Sequence, residues 1–305
     1  MATDRRASEA KRLLLAGLVD YAGLFPPAAL PMADAVRRYD EYRKSPAAWA
    51  LGCFVLPVAR LAEFEEVAQP RHGQDPWPLA VTAGLEFGDG VRVIEEFIRR
   101  LFPRVAVEAI EVKASSPEHV AAIARDAALL RESAADPFDV YVEVPVTGDP
   151  APTIEAIAAH GLRAKVRTGG VEATAFPTPE QLARFMVECT SREVTFKATA
   201  GLHHAMRGEY PLTYEPTSPR GTMFGFLNVF LAAVFVRAGL GAADAAALLD
   251  ERDVSSITFG ASSITWRGRT IDRAAIRAAR AATATSFGSC SFEEPVADLS
   301  SLGLL

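Results

Sequence analysis

The sequence predicts an α/β protein built as a (β/α)8 TIM-type barrel, irregular in its last two units and preceded by an N-terminal helical arm. Three observations carry this. A length of 305 residues suits one barrel domain spanning 1–305. Short runs rich in Val, Ile and Phe alternate with helical patterns between about residues 52 and 199, and that alternation implies parallel strands joined by right-handed crossovers. Half of the residues are hydrophobic and 23% are charged, which supplies a large core and excludes wholesale disorder. A doubly wound open sheet is the rival architecture.

Residues 8–18 form a helical opening, 23–31 a Pro-rich loop and 32–43 a second helix, so 1–48 reads as an arm packed on the barrel. Strands follow at 52–57, 79–83, 105–113, 140–145, 162–167 and 194–199, with helices at 61–68, 90–101, 117–133, 153–160 and 179–189 between them. Residues 201–220 form a long loop carrying the adjacent His203 and His204. Helices at 223–238 and 242–250, a hairpin of 256–259 with 263–267, a helix at 272–282 and a last segment at 286–292 complete the chain. Barrel strands seven and eight are expected from the hairpin and the last segment.

Net charge is −6, without a cluster of Lys and Arg, which argues against a nucleic-acid partner. Cys53, Cys189 and Cys290 form no Cys-x-x-Cys pair, so neither a disulfide framework nor a zinc knuckle is indicated. The longest near-apolar run, 223–236, is shorter than a bilayer span, is interrupted by Asn228, and reads as a buried helix. A cytoplasmic protein without a membrane partner is expected, and a homo-oligomer is compatible with the sequence.

The chain contains five lysines against 27 arginines, and three of the five, Lys113, Lys165 and Lys197, lie in predicted strands. A desolvated Lys shifts its pKa readily and becomes a nucleophile or base, which Arg does not. Alternate strand residues face opposite sides. Val140, Val142 and Val144 therefore oppose Tyr141 and Glu143, and the same parity sets Glu111, Lys113, Lys165, Arg167 and Lys197 on the face opposite their apolar neighbours. In a barrel that face is the interior, whose C-terminal mouth holds the active site. An internal ion-pair network is the competing account of such a cluster.

Lys165-Val-Arg-Thr-Gly-Gly170 delivers two cations and then two glycines, a pattern for a phosphate or carboxylate held by Arg167, Gly169 and Gly170. Phe196-Lys-Ala-Thr-Ala-Gly201 holds the candidate imine-forming Lys197, its pKa lowered by Lys165. Glu143 or His204 would move protons. His203, Arg207 and Lys113 are further contacts for a small anionic substrate. Glu111 and Glu143, at matching depths on adjacent strands, offer either partners for the lysines or a site for Mg²⁺ or Mn²⁺. The first reading needs no cofactor. Cys290 in Gly-Ser-Cys-Ser reads as a small buried residue, with a nucleophilic role as the alternative. Asp20 and Tyr21 are outside candidates for site contacts.

The two lysine motifs resemble class I aldolases of the deoxyribose-phosphate aldolase type, whose Schiff-base Lys lies in a Phe/Ile-Lys-Thr-Ser-Thr-Gly stretch and whose second Lys precedes a Gly-Gly turn. Lys197 matches the first and Lys165 the second, in the opposite order along the chain. The resemblance covers about a dozen residues and implies a barrel lyase acting through an imine. The segments at 20–27 and 287–295 also resemble those of a bacterial family, from which no activity follows. Three accounts are thus open: a Schiff-base lyase acting on a small anionic carbonyl compound, a divalent-metal lyase or isomerase stabilising an enolate, and a non-catalytic anion-binding regulatory barrel.

Overall fold

A computed structural model describes residues 9–70, 75–85, 87–134 and 136–305. Ser8, the first residue of the predicted opening helix, lies outside the described residues. Eight strands close into a parallel barrel. They are β1 (Val19–Tyr21), β2 (Leu51–Pro57), β3 (Trp77–Gly84), β4 (Val105–Lys113), β5 (Asp139–Val144), β6 (Arg163–Arg167), β7 (Phe196–Thr199) and, last in the chain, β13 (Ala284–Ser289). The strand β13 lies between β7 and β1. Outside the barrel are the ribbon β8 (Gly208–Pro211) with β9 (Arg220–Met223), and the antiparallel sheet β10 (Ile257–Phe259), β11 (Ser263–Trp266) and β12 (Arg269–Asp272).

The helices are α1 (Glu9–Leu15), α2 (Met32–Arg43), α3 (Leu61–Ala68), α4 (Phe87–Leu101), α5 (Pro117–Ser133), α6 (Ala151–Ala159), α7 (Pro179–Ser191), α8 (Phe226–Arg237), α9 (Ala242–Leu249), α10 (Arg273–Ala282) and α11 (Glu293–Ser301). Every residue of α8 from Phe226 to Val236 is buried, which its uninterrupted apolar character requires. Among the described residues no helix is long and apolar enough to cross a membrane.

The barrel is the expected one, but one strand comes from elsewhere. The last segment supplies β13, as predicted. The hairpin at 256–267 belongs to the antiparallel sheet outside the barrel, and the remaining strand is β1, inside the segment assigned to the arm. Val19 pairs with Phe287 of β13 and with Leu51 of β2. Three residues are too few to display a period-two pattern, so β1 leaves no strand signal. The β8–β9 ribbon likewise arises from the predicted 201–220 loop and the three residues after it, so Met223, expected to open a helix, ends β9.

Outward-facing residues such as Val140, Val142 and Val144 join the core shared with the helices. Inside the barrel a separate small cluster forms from Ala22, Cys53, Val55, Ala80, Ala109 and Tyr141. Most of these side chains are short, and the space they leave accommodates the long charged chains of β4 to β7.

Candidate active site in the charged barrel interior

The hydrogen-bond register sets the charges in a row. Lys113 pairs with Glu143, Glu143 with Lys165, and Lys165 with Lys197 across β4, β5, β6 and β7. Glu111 lies one step lower, opposite Tyr141. Glu111 and Glu143 are therefore at different depths, contrary to the expectation from strand counting: β5 starts opposite Ala109, partway along β4, so Glu143 falls level with Lys113.

Lys197 is fully buried and held by two carboxylates, Asp20 Oδ2 at 2.6 Å and Glu111 Oε1 at 2.5 Å. Its Nζ also lies 5.4 Å from the centre of the Tyr141 ring. Asp20 is itself fixed by Ser286 Oγ, which donates at 2.7 Å, and by the Cys53 amide at 2.8 Å. Gly52 makes this approach feasible, since a Cβ there would lie 2.3 Å from Asp20 Oδ1. Burial presses the Lys197 ammonium toward its neutral form, but Asp20 and Glu111 outweigh it and hold the pKa well above the usual lysine value. The predicted lowering by Lys165 is overturned. The compensating charge of Asp20 sits on the strand that left no sequence signal.

Lys165 has a different setting. Its Nζ donates to Glu111 Oε2 at 3.0 Å and lies 3.2 Å from Glu143 Oε2. Burial works against the charged form of Glu111, yet Lys165 and Lys197 together pull its carboxyl down to about 2. Lys113 and Arg167 lie 3.9 and 3.8 Å from Glu143 Oε1, with their side chains about half exposed.

The charged layer borders a cavity at each end of the barrel. A cavity of about 380 Å³ at the N-terminal end is lined by Asp20, Cys53, Tyr141 and Lys197. At the C-terminal mouth a cavity of about 310 Å³ is lined by Glu111, Lys165, Arg167, Gly170, His203 and Cys290. Phe25, Pro26 and Pro27 of the Pro-rich loop form one wall of it. A third, of about 280 Å³, continues from Arg167 past Lys113 and Glu143.

The turn after β7 carries the histidines. Ala200 and Gly201 are left-handed, and Thr168 Oγ1 donates to the Ala200 carbonyl at 2.6 Å, tying the ends of β6 and β7. Gly169 and Gly201 approach so closely that a Cβ on Gly201 would lie 2.9 Å from the Gly169 Cα. A Cβ on Gly169 would strike Phe176 at 2.4 Å. Gly169 thus serves this packing, whereas Gly170 lines the mouth. The first amides of α8 donate to the carbonyls of His204 and Ala205 and anchor the loop.

His203 turns into the mouth. His204 turns to α11, where its Nδ1 meets Asp298 at 3.2 Å and its ring stacks on Tyr210. Arg207 is paired with Asp250 at 2.7 Å and packs over Phe224, away from the residues that line the mouth. The geometry thus brings together Lys165, Lys197, Glu111, Glu143, Arg167, Lys113, Gly170 and His203, and leaves His204 and Arg207 outside.

Asp20 and Cys290 join the charged interior and the mouth. The sequence offered Asp20 as an outside candidate for a site contact, and Cys290 as a small buried residue with a nucleophilic role as the alternative. The divalent-metal account does not fit: the Lys165 Nζ lies between Glu111 and Glu143, at 3.0 and 3.2 Å, where the ion would have to sit, and among the described residues no group of three or more His, Cys, Asp and Glu is placed to hold one. No protein-family model matches the chain, and no curated protein matches it either, so what the site can do follows from its geometry alone.

Proposed function

We propose that the protein is a Schiff-base lyase of the aldolase type acting on a small anionic carbonyl compound, with Lys165 as the amine. One observation carries this reading: of the two neighbouring buried lysines, Lys165 is the one that lines the mouth, while Lys197 is locked as an ammonium beneath it. Lys197 and Lys165 share Glu111, and Glu143 Oε2, 3.2 Å from the Lys165 Nζ, is the carboxylate placed to take a proton from it. The free amine adds to the substrate carbonyl carbon. Loss of water, with Glu143 and His203 handling protons, gives an imine that takes up the electron pair when a carbon–carbon bond breaks. Arg167 and Lys113 hold the anionic group, and Gly170 lets the substrate approach the backbone.

Borohydride reduction in the presence of 2-oxo acids or sugar phosphates tests the proposal. A stable mass adduct in the wild type that disappears in Lys165→Ala is expected. Absence of an adduct with every carbonyl compound, with no turnover, would leave an anion-binding barrel whose lysines only pair charges.

A further inference from the structure

The wall of the mouth that Lys165 does not occupy carries a second group of reactive side chains. Cys290, just past β13, His203, in the turn after β7, Glu294, in the first turn of α11, and Tyr214, between β8 and β9, converge from four segments of the chain. Cys290 Sγ lies 4.0 Å from His203 Nδ1 and 3.5 Å from the Tyr214 hydroxyl. Glu294 Oε2 lies 3.0 Å from the same Nδ1 and accepts from Tyr214 at 2.9 Å. Cys290 and His203 both line the 310 Å³ cavity that also contains Lys165 and Arg167.

We infer that Cys290, paired with His203 and Glu294, is a sulfur nucleophile that captures an electrophilic carbonyl carbon in the mouth, the ligand class being a small anionic aldehyde. The step is redox-neutral. The thiol proton passes to His203, whose imidazolium is held by Glu294. The sulfur electron pair forms the C–S bond as the carbonyl π pair moves to oxygen, and that oxygen takes the proton back from His203 to give a hemithioacetal. Reversal frees the aldehyde. Burial alone would keep His203 neutral, but Cys290 and Glu294 raise it to about 9, so at neutral pH the ring holds the proton that the substrate oxygen takes up. The other two thiols are natural controls: burial drives both Cys53 and Cys189 well above the ordinary thiol pKa. This inference uses neither lysine and shares with the imine reading only the mouth and His203.

Iodoacetamide labelling of the folded protein at pH 7, followed by peptide mass mapping, tests it. One label is expected, on Cys290, with Cys53 and Cys189 unlabelled. His203→Asn is expected to slow this labelling by about tenfold. Glyoxylate, a small anionic aldehyde, should protect Cys290 reversibly, including in Lys165→Met, where an imine cannot form at that position. A Cys290 that labels only on unfolding, or that glyoxylate leaves unprotected, would overturn the inference. The wild-type labelling and its protection decide the matter even if the His203 variant fails to fold.

Discussion

Lys197 and Lys165 are neighbours in register, yet the two side chains do different work. Lys197 neutralises two buried carboxylates, and removing it leaves Asp20 without its cation in the barrel interior, while Glu111 keeps Lys165. Breaking a buried pair in this way costs about 3–5 kcal/mol, so Lys197→Met is expected to lower the unfolding free energy by that order in a urea titration. Loss of Lys165 uncovers groups that already open on the mouth, and a smaller loss is expected for Lys165→Met. The titration of Glu111 has a definite sign. Its folded pKa of about 2 lies below the ordinary carboxyl value of 4.5, so its stabilisation is complete above ~4.5 and is lost as pH falls toward 2. Acid unfolding of the wild type should therefore begin in that window, and a Glu111→Gln variant should have a flatter stability profile there. His203 has the opposite sign: raised from 6.5 to about 9, it stabilises fully below ~6.5, and that contribution fades as pH rises through 9. A pH series of melting temperatures for His203→Gln should lose this alkaline decline.

Among the elements, the short strand β1 governs the site because it brings Asp20 under Lys197. Its approach depends on Gly52 in β2, where a Cβ would lie 2.3 Å from the Asp20 carboxylate. Gly52→Ala is expected to destabilise by about 1–3 kcal/mol through overpacking, measured by denaturant unfolding, with Gly161→Ala as a contrast in which positive φ, without contact, is the only strain. Strands β4 to β7 were legible because apolar residues alternate with polar or charged ones over at least four positions, enough to set parity. Strand β1 was not, since three residues carry no periodicity. The hairpin at 256–267 had genuine strand chemistry, and its alternation does not say which sheet it joins. Parity placed Lys165 and Lys197 inward, while the depth of Glu111 relative to Glu143 depended on barrel register. Which of two adjacent histidines enters the mouth depended on the anchors from α8 and α11. Neither is encoded in local spacing.

At the scale of the whole molecule, the barrel suspends a charged layer between two cavities and leaves its half-exposed cations, Arg167 and Lys113, at the C-terminal mouth where the β-to-α turns gather. Anion capture should therefore belong to this end. Arg167→Ala is expected to weaken binding of inorganic phosphate or a 2-oxo acid about tenfold, about 1.4 kcal/mol by calorimetry, with weaker dependence on salt than the wild type. The central claim is the division of labour between the two lysines, and mapping the borohydride-reduced adduct to a residue tests it most directly. The account predicts the added mass on the peptide containing Lys165, with Lys197 unmodified; an adduct on Lys197, or adduct formation undiminished in Lys165→Ala, would contradict it.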